Sequence, residues 1–197
     1  MVQYSIIENE PVFIIHQRAY SETSQILNLF SRNHGRIDVI AKGSKRPKSK
    51  FKSFIQPFLP LNASWSGRSQ LKTLRDIEAA DHHQSLIQPD QFLSALYMNE
   101  LILHFLSNAD PYPGLYLIYY KTLKEFSSFD NHEPLLRVFE FKLLEEIGYA
   151  INFETEALST QMIDLDGHYR YVPEQGFHSV SKDSKIKKYT GKQISSI

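Results

Sequence analysis

Six cations crowd into eleven residues: Lys42, Lys45, Arg46, Lys48, Lys50 and Lys52, with no acid among them. Side by side on a fold, these charges repel one another. A phosphate chain relieves that repulsion by neutralising them and releasing its own counterions. Lysine ammoniums are rotatable point charges, suited to holding a backbone rather than reading base edges. Arg32 and Arg36 precede the run; Arg68, Lys72 and Arg75 follow it. In a small barrel these sets can line one groove. On charge and position alone, all of these cations, Arg75 included, are candidates for contact with phosphates. Phe51, Phe54 and Phe58 lie beside the charges as candidates for stacking on bases, with Phe58 better suited to a core. The competing reading is a solvated loop that happens to be lysine-rich; the complete lack of acids argues against it.

Other chemistry-bearing groups do not assemble into a catalytic pattern. Gly43-Ser44-Lys45 invites a phosphate-loop reading but lacks the upstream glycine spacing. His82 and His83 are adjacent behind Asp81, with no third ligand at a familiar spacing. His168 and His178 stand ten apart near Asp164 and Asp166, and solvent-exposed histidine is the plainer account. Glu145 and Glu146 are helical neighbours that point differently, not a catalytic pair. No nucleophile-elbow motif occurs. Nothing asks for an enzyme, a cofactor or a metal. A nuclease would need carboxylates clustered around Mg²⁺.

The charge balance is uneven. The 197 residues carry 22 Lys plus Arg and 22 Asp plus Glu. Residues 1–80 hold twelve of the cations and six of the acids, a net of +6, and the remainder of the chain is −6. A basic front half suits a polyanionic partner. Cysteine is absent, which excludes disulfides and thiolate zinc and fits a reducing compartment. The first ten residues do not read as a signal peptide, and apolar stretches such as Leu115–Tyr120 fall far short of the roughly 20 residues that span a bilayer.

These side chains need a scaffold. Residues 11–18 are an apolar, β-branched run after a polar turn and predict a strand. Residues 24–30 place Ile26 and Phe30 on one side and Leu27 and Leu29 on the other, as in a strand buried on both faces. Residues 36–41 alternate with period two. Residues 57–66 and 70–77 supply two more strands, the first with an irregular, proline-bearing start. Five short strands in about 75 residues are most economically closed into an OB-like barrel, which removes the sheet edges.

The period turns helical beyond residue 80. Asp90 is a candidate cap for a helix with Phe92, Leu96, Asn99 and Leu103 as its stripe. Asp110-Pro111 opens a second, with Leu115, Tyr119, Leu123 and Phe126. Asn131–Pro134 opens a third, faced by Leu136, Phe139, Leu143 and Ile147 and ended by Gly148. Residues 167–181 predict a short hairpin. From Lys182 the tail has five lysines and no apolar stripe, which predicts a mobile end, and a further C-terminal helix is expected beyond it.

The chain resembles the bacterial RecO family of DNA recombination and repair proteins. The likeness is carried by Val12 to Arg18, Tyr20-Ser21-Glu22-Thr23-Ser24, His34-Gly35-Arg36 and, most specifically, Ala41-Lys42-Gly43-Ser44-Lys45-Arg46-Pro47. It continues through Gln56-Pro57-Phe58, Ser66-Gly67-Arg68, Leu71 to Leu74, Tyr97 to Leu101, Arg137 to Glu140 and Leu143 to Tyr149. Tyr169-Arg170-Tyr171 and Gly176-Phe177 close it. The resemblance implies an α+β chain: an OB-fold over residues 1–80, then a helical domain over 81–197 with a degenerate zinc-finger-like region at about 150–180. It also implies a cytoplasmic, nucleoid-associated recombination mediator that binds single- and double-stranded DNA and anneals complementary strands, with the family's DNA-binding surface falling on Arg32, Arg36, Lys42, Lys45, Arg46, Lys48, Lys50, Lys52, Arg68 and Lys72. Such a mediator acts with RecR, contacts single-strand-binding protein and helps load RecA. Many relatives bind zinc through four cysteines where this chain has Asn152 to Phe177, and here packing must hold that region instead. The alternative from a different class is a non-catalytic adaptor that works through the helical domain.

Overall fold

The computed structural model describes residues 5–80, 87–159 and 161–196. The candidate metal residues Asp81, His82 and His83 lie outside them. Two compact units divide the chain, residues 1–146 and 147–197.

Five strands form a closed barrel in the order β1-β2-β3-β5-β4, with β4 returning to β1. They are β1 (Ser5–Ala19), β2 (Gln25–Ser31), β3 (Gly35–Ala41), β4 (Leu61–Gly67) and β5 (Lys72–Ala79). The OB-like expectation holds. All pairings are antiparallel except β3 with β5. The polar turn expected before residue 11 is instead strand, because β1 starts at Ser5 and pairs β4 with its first half and β2 with its second. Its register shifts twice, between Ile7 and Glu10 and between Ile14 and His16. Such bulges bend one strand far enough to close a small barrel. At the first, Asn9 takes a φ of 53° and its N–H donates to Ser64 Oγ at 3.0 Å.

Alternation sorts the apolar residues onto two faces. Val12, Ile14, Leu27, Leu29, Val39 and Trp65 belong to one core with Leu59, Leu61 and Ile77. Phe13 and Phe30, of opposite parity, are also fully buried and meet rings of the helical segment. This explains the unbroken apolar run in β1, since both of its faces are covered.

Three helices complete the first unit: α1 (Phe92–Phe105), α2 (Pro113–Glu125) and α3 (Glu133–Glu146). Asp90 is not the cap of α1. Residues 89–91 form a single 3₁₀ turn, tied by the Gln88 N–H to Gln91 Oε1 at 3.0 Å. Of the expected stripe only Asn99 is buried; the buried face of α1 is Ala95, Met98, Asn99 and Ile102, and Phe92, Leu93 and Tyr97 are exposed. α1 is apolar on most of its circumference, so period alone did not select a face. α2 begins at Pro113, later than expected, and buries the expected Leu115, Tyr119 and Leu123. Phe13 and Tyr119 meet edge to face at 5.0 Å. The Tyr119 hydroxyl donates to Asn99 Oδ1 at 2.6 Å, and Asn99 Nδ2 donates to the Ile15 carbonyl at 3.0 Å. This buried chain of bonds locks α2, α1 and β1 in one register.

The second unit contains the expected hairpin, β6 (His168–Val172) and β7 (Gly176–Ser179). The tail, expected to lack regular structure, carries some. It adds β8 (Tyr189–Thr190) beside β6 and a short α4 (Gly191–Ser195). Thr190 caps α4 reciprocally with Gln193. Tyr169, Phe177 and Ile194 form the core, with Ile151, Phe153, Ile163 and Tyr189 packed against them.

Candidate nucleic-acid interface

Three connections meet at one end of the barrel. Gln25 pairs with Ala41, so the β1–β2 turn lies beside the exit of β3. Val39 pairs with Lys72, which sets the β4–β5 turn next to the same exit. The basic segment leaves β3 there and is fastened at its root. The Gly43 N–H donates to Ser24 Oγ at 3.5 Å, the buried Ser44 donates through Oγ to Gln25 Oε1 at 3.1 Å, and the Lys45 N–H donates to the Thr23 carbonyl at 3.0 Å. Gly43 has a φ of +71°, which glycine adopts without strain.

Beyond this root the segment runs as successive turns, Arg46 N–H to Gly43 O, Ser49 N–H to Arg46 O and Lys52 N–H to Ser49 O. Phe51 is buried in the barrel core, with Phe54 and Ile55 packed against it, and Phe58 is buried as well. The buried Phe51 cannot stack on bases, and the half-buried Phe54 packs against the same core. Lys42, Lys45, Arg46, Lys48, Lys50 and Lys52 are all exposed. Apolar side chains in and cations out is the arrangement that presents charge without losing stability.

The protein's own acids neutralise little of this charge. Lys50 Nζ pairs with Asp76 Oδ1 at 2.8 Å, and that hydrogen bond holds the Asp76 carboxyl below its ordinary value. Lys45 Nζ donates to the Ser21 carbonyl at 3.2 Å, which leaves its charge uncancelled. Lys42, Arg46, Lys48 and Lys52 form no side-chain ion pair among the described residues. Arg68 is exposed in the β4–β5 turn, and the half-buried Lys72 donates to the Gly67 carbonyl at 3.3 Å.

The ten candidates do not form one group. Arg32 and Arg36 belong to the β2–β3 hairpin, where Ser31 pairs with Gly35, at the other end of β3 from Lys42. Six residue steps, with five residues of strand between, carry the chain from Arg36 to Lys42, roughly 20 Å at the usual rise. Arg32 is exposed, but Arg36 is half-buried and its guanidinium donates to the carbonyls of Leu103 and Leu106 at the end of α1. The Arg32–Arg36 end also holds the buried Glu10, which accepts from Ser31 Oγ and the Asn33 N–H, each at 2.7 Å.

Two residues at the basic end escaped the sequence reading. Arg18 is exposed near the end of β1, paired with Ile26, and Tyr20 is 58% exposed in the β1–β2 turn. The signal was their position flanking a polar turn, which gains meaning only once that turn is seen against the lysines.

Elsewhere, no cluster of three or more potential metal ligands exists among the described residues, His168 and His178 included. No helix among the described residues is long and apolar enough to cross a membrane.

Comparison with known proteins points one way. Residues 6–83 match the family model for Recombination protein O N terminal, and residues 88–191 match Recombination protein O C terminal. The DNA repair protein RecO of Tolumonas auensis is 44% identical over 170 residues, 85% of this chain and 70% of that one. That of Haemophilus influenzae (strain 86-028NP) is 42% identical over 173 residues, covering 87% and 73%. That of Photobacterium profundum is 40% identical over 186 residues, covering 94% and 78%.

Proposed function

The chain belongs to the recombination protein O family of DNA repair proteins, and from that premise we propose that it is a non-enzymatic recombination mediator that binds single- and double-stranded DNA and anneals complementary strands. The observation that carries this reading is the run of exposed cations Lys42, Lys45, Arg46, Lys48 and Lys52, unpaired with acids and fastened to the barrel end. Two complementary strands repel through their phosphates. A basic surface lowers that repulsion and holds one strand near the other at raised local concentration. Base pairing then supplies specificity, so the protein contacts backbone and exposed base faces and breaks no bond.

The interface consists of Lys42, Lys45, Arg46, Lys48, Lys50, Lys52, Arg68 and Lys72, joined by Arg18. Arg32 contributes at most a separate contact, and Arg36 serves the fold. By family likeness the protein works in the nucleoid with RecR, contacts single-strand-binding protein and helps load RecA onto coated single strands. The helical segment, after residue 80, is the surface for protein partners.

The test is a DNA-binding titration across salt concentrations for the wild type and for K42A/K45A/R46A. Three lost phosphate contacts flatten the slope by about three units, equally for all sequences. An unchanged slope overturns the interface. The adaptor reading, favoured by exposed Phe92, Leu93 and Tyr97 on α1, predicts no retardation of a single strand at physiological salt.

A further inference from the structure

The described barrel residues include seven aromatic side chains, and six of them are committed to packing. Phe13, Phe30, Phe51, Phe58 and Trp65 are buried, and Phe54 packs against the core. Tyr20 alone is exposed, at 58%. No hydrogen bond or ring contact ties its side chain to any described residue. A solitary exposed tyrosine is ordinary in itself, but two features set this one apart.

The first is that its turn is held from two sides. Within the turn, the Tyr20 and Ser21 N–H groups donate to the Ser24 carbonyl at 3.1 and 3.3 Å, and the Ser24 N–H donates to Ser21 Oγ at 3.2 Å. From the basic segment, Lys45 donates its N–H to the Thr23 carbonyl and its ammonium to the Ser21 carbonyl. A ring presented from a fixed turn loses little freedom on contact with a ligand.

The second is the local distribution of charge. Lys45 is bonded to the residue next to Tyr20, so a strand whose phosphates lie on Lys45 runs beside the turn that carries the ring. Glu22 is exposed at the tip of the same turn. Its carboxylate repels phosphate, so the backbone lies on the lysine side and the bases face the turn. The β1–β2 and β4–β5 turns also flank the ligand surface of OB-folds in general.

We propose that Tyr20 forms a stacking subsite for one unpaired nucleobase, and that this subsite gives the basic end a preference for single strands over duplex. The proposal rests on the nucleic-acid reading of the basic segment. A base within a duplex has both faces covered by its neighbours and cannot lie on the ring. An unpaired base can, whatever its identity.

The experiment compares affinities for an oligothymidylate and for a blunt duplex of equal length, using the wild type, Y20A, Y20F, Y20W and K42A/K45A/R46A. Y20A weakens single-strand binding by roughly 5- to 150-fold, leaves duplex binding unchanged and keeps the salt slope on both. Y20F retains wild-type affinity because the ring remains. In Y20W the new indole is quenched by the oligothymidylate and not by the duplex. Equal losses on both ligands with Y20A, or none, overturn the stacking subsite. If the lysine variant also leaves both affinities unchanged, the underlying reading falls as well, so the two failures are distinguishable.

Discussion

The guanidinium of Arg36 donates to the carbonyl of Leu106 at 2.9 Å and also to that of Leu103, so a barrel strand satisfies carbonyls that the end of α1 leaves open. The charge also opposes the negative end of the helix dipole. The connection after α1 follows the same strand, with the Ala109 N–H donating to the Arg36 carbonyl at 2.8 Å. Gly35 makes the approach feasible: a Cβ there would stand 1.9 Å from the Asp110 carbonyl oxygen.

Arg36→Ala therefore acts on stability and not on DNA. Losing a charged donor to two carbonyls costs about 1.5–3 kcal/mol and lowers the melting temperature. The salt slope of DNA binding stays at the wild-type value. Lys42→Ala does the reverse, with a slope about one unit flatter and unchanged melting. A flatter slope for Arg36→Ala would return that residue to the interface.

Tyr119→Phe removes a donor from a buried acceptor. Asn99 Oδ1 accepts from the Tyr119 hydroxyl in a buried site, and the substitution removes that bond. The expected loss is about 1–3 kcal/mol in denaturant unfolding. Burial, followed by the neighbouring Tyr116, holds the Tyr119 hydroxyl well above its ordinary value of 10.0. The sign follows from linkage: the contribution is complete below that value and is lost as pH rises towards the raised one. Ultraviolet titration should show this phenolate forming only as the protein unfolds. A reversible ionisation in the folded state contradicts the arrangement.

Asp76→Asn strengthens DNA binding. The Lys50–Asp76 pair is exposed on both sides, at 64% and 62%, so breaking it changes stability by less than about 1 kcal/mol. It releases one cation at the interface and removes one acid. The salt slope steepens by about one unit, and Lys50→Ala costs less affinity in the wild type than in the Asp76→Asn background. Equal effects in the two backgrounds would show that Lys50 was never restrained.

Phe177→Ala dissolves the second unit. Phe177 is 4% exposed and lies within ring-contact range of Phe153, Tyr171 and Tyr189. A buried Phe→Ala substitution costs about 3–5 kcal/mol, more than a core of this size can lose. Limited trypsin digestion should then cut at Lys182, Lys185 and Lys187 while residues 1–146 stay protected. EDTA added to the wild type should not reproduce this pattern. Wild-type resistance in Phe177→Ala would mean that something other than packing holds the unit.

Period-two alternation located the barrel because its strands are buried on the inner face throughout, and β3 alternates over its whole length. The start of β1 was illegible because Glu8 and Glu10 read as turn. Glu10 is buried only because Ser31 and Asn33, 21 and 23 residues away, satisfy its carboxylate. The tail misled for a related reason: Ile194 is one apolar residue among polar ones, and its burial depends on strands laid down earlier. At the site, charge density identified the lysines. Composition could not tell Arg36, which is used by a helix end, from Lys42, which faces outward. Nor could it single out Tyr20 among so many aromatics, since exposure is a property of the fold.

The parallel join between β3 and β5 consists of two register pairs, Val39 with Lys72 and Ile40 with Thr73, whereas β2 and β3 share seven. A hoop of strands is only as tight as its shortest fastening, and here that fastening lies directly under the lysine-bearing end. Amide protons there should be the first of the barrel to exchange with solvent. A strand of DNA running from Lys42 across to Arg68 would span the clasp and hold it shut, so occupancy would register as slowed exchange at Thr73 and Leu74.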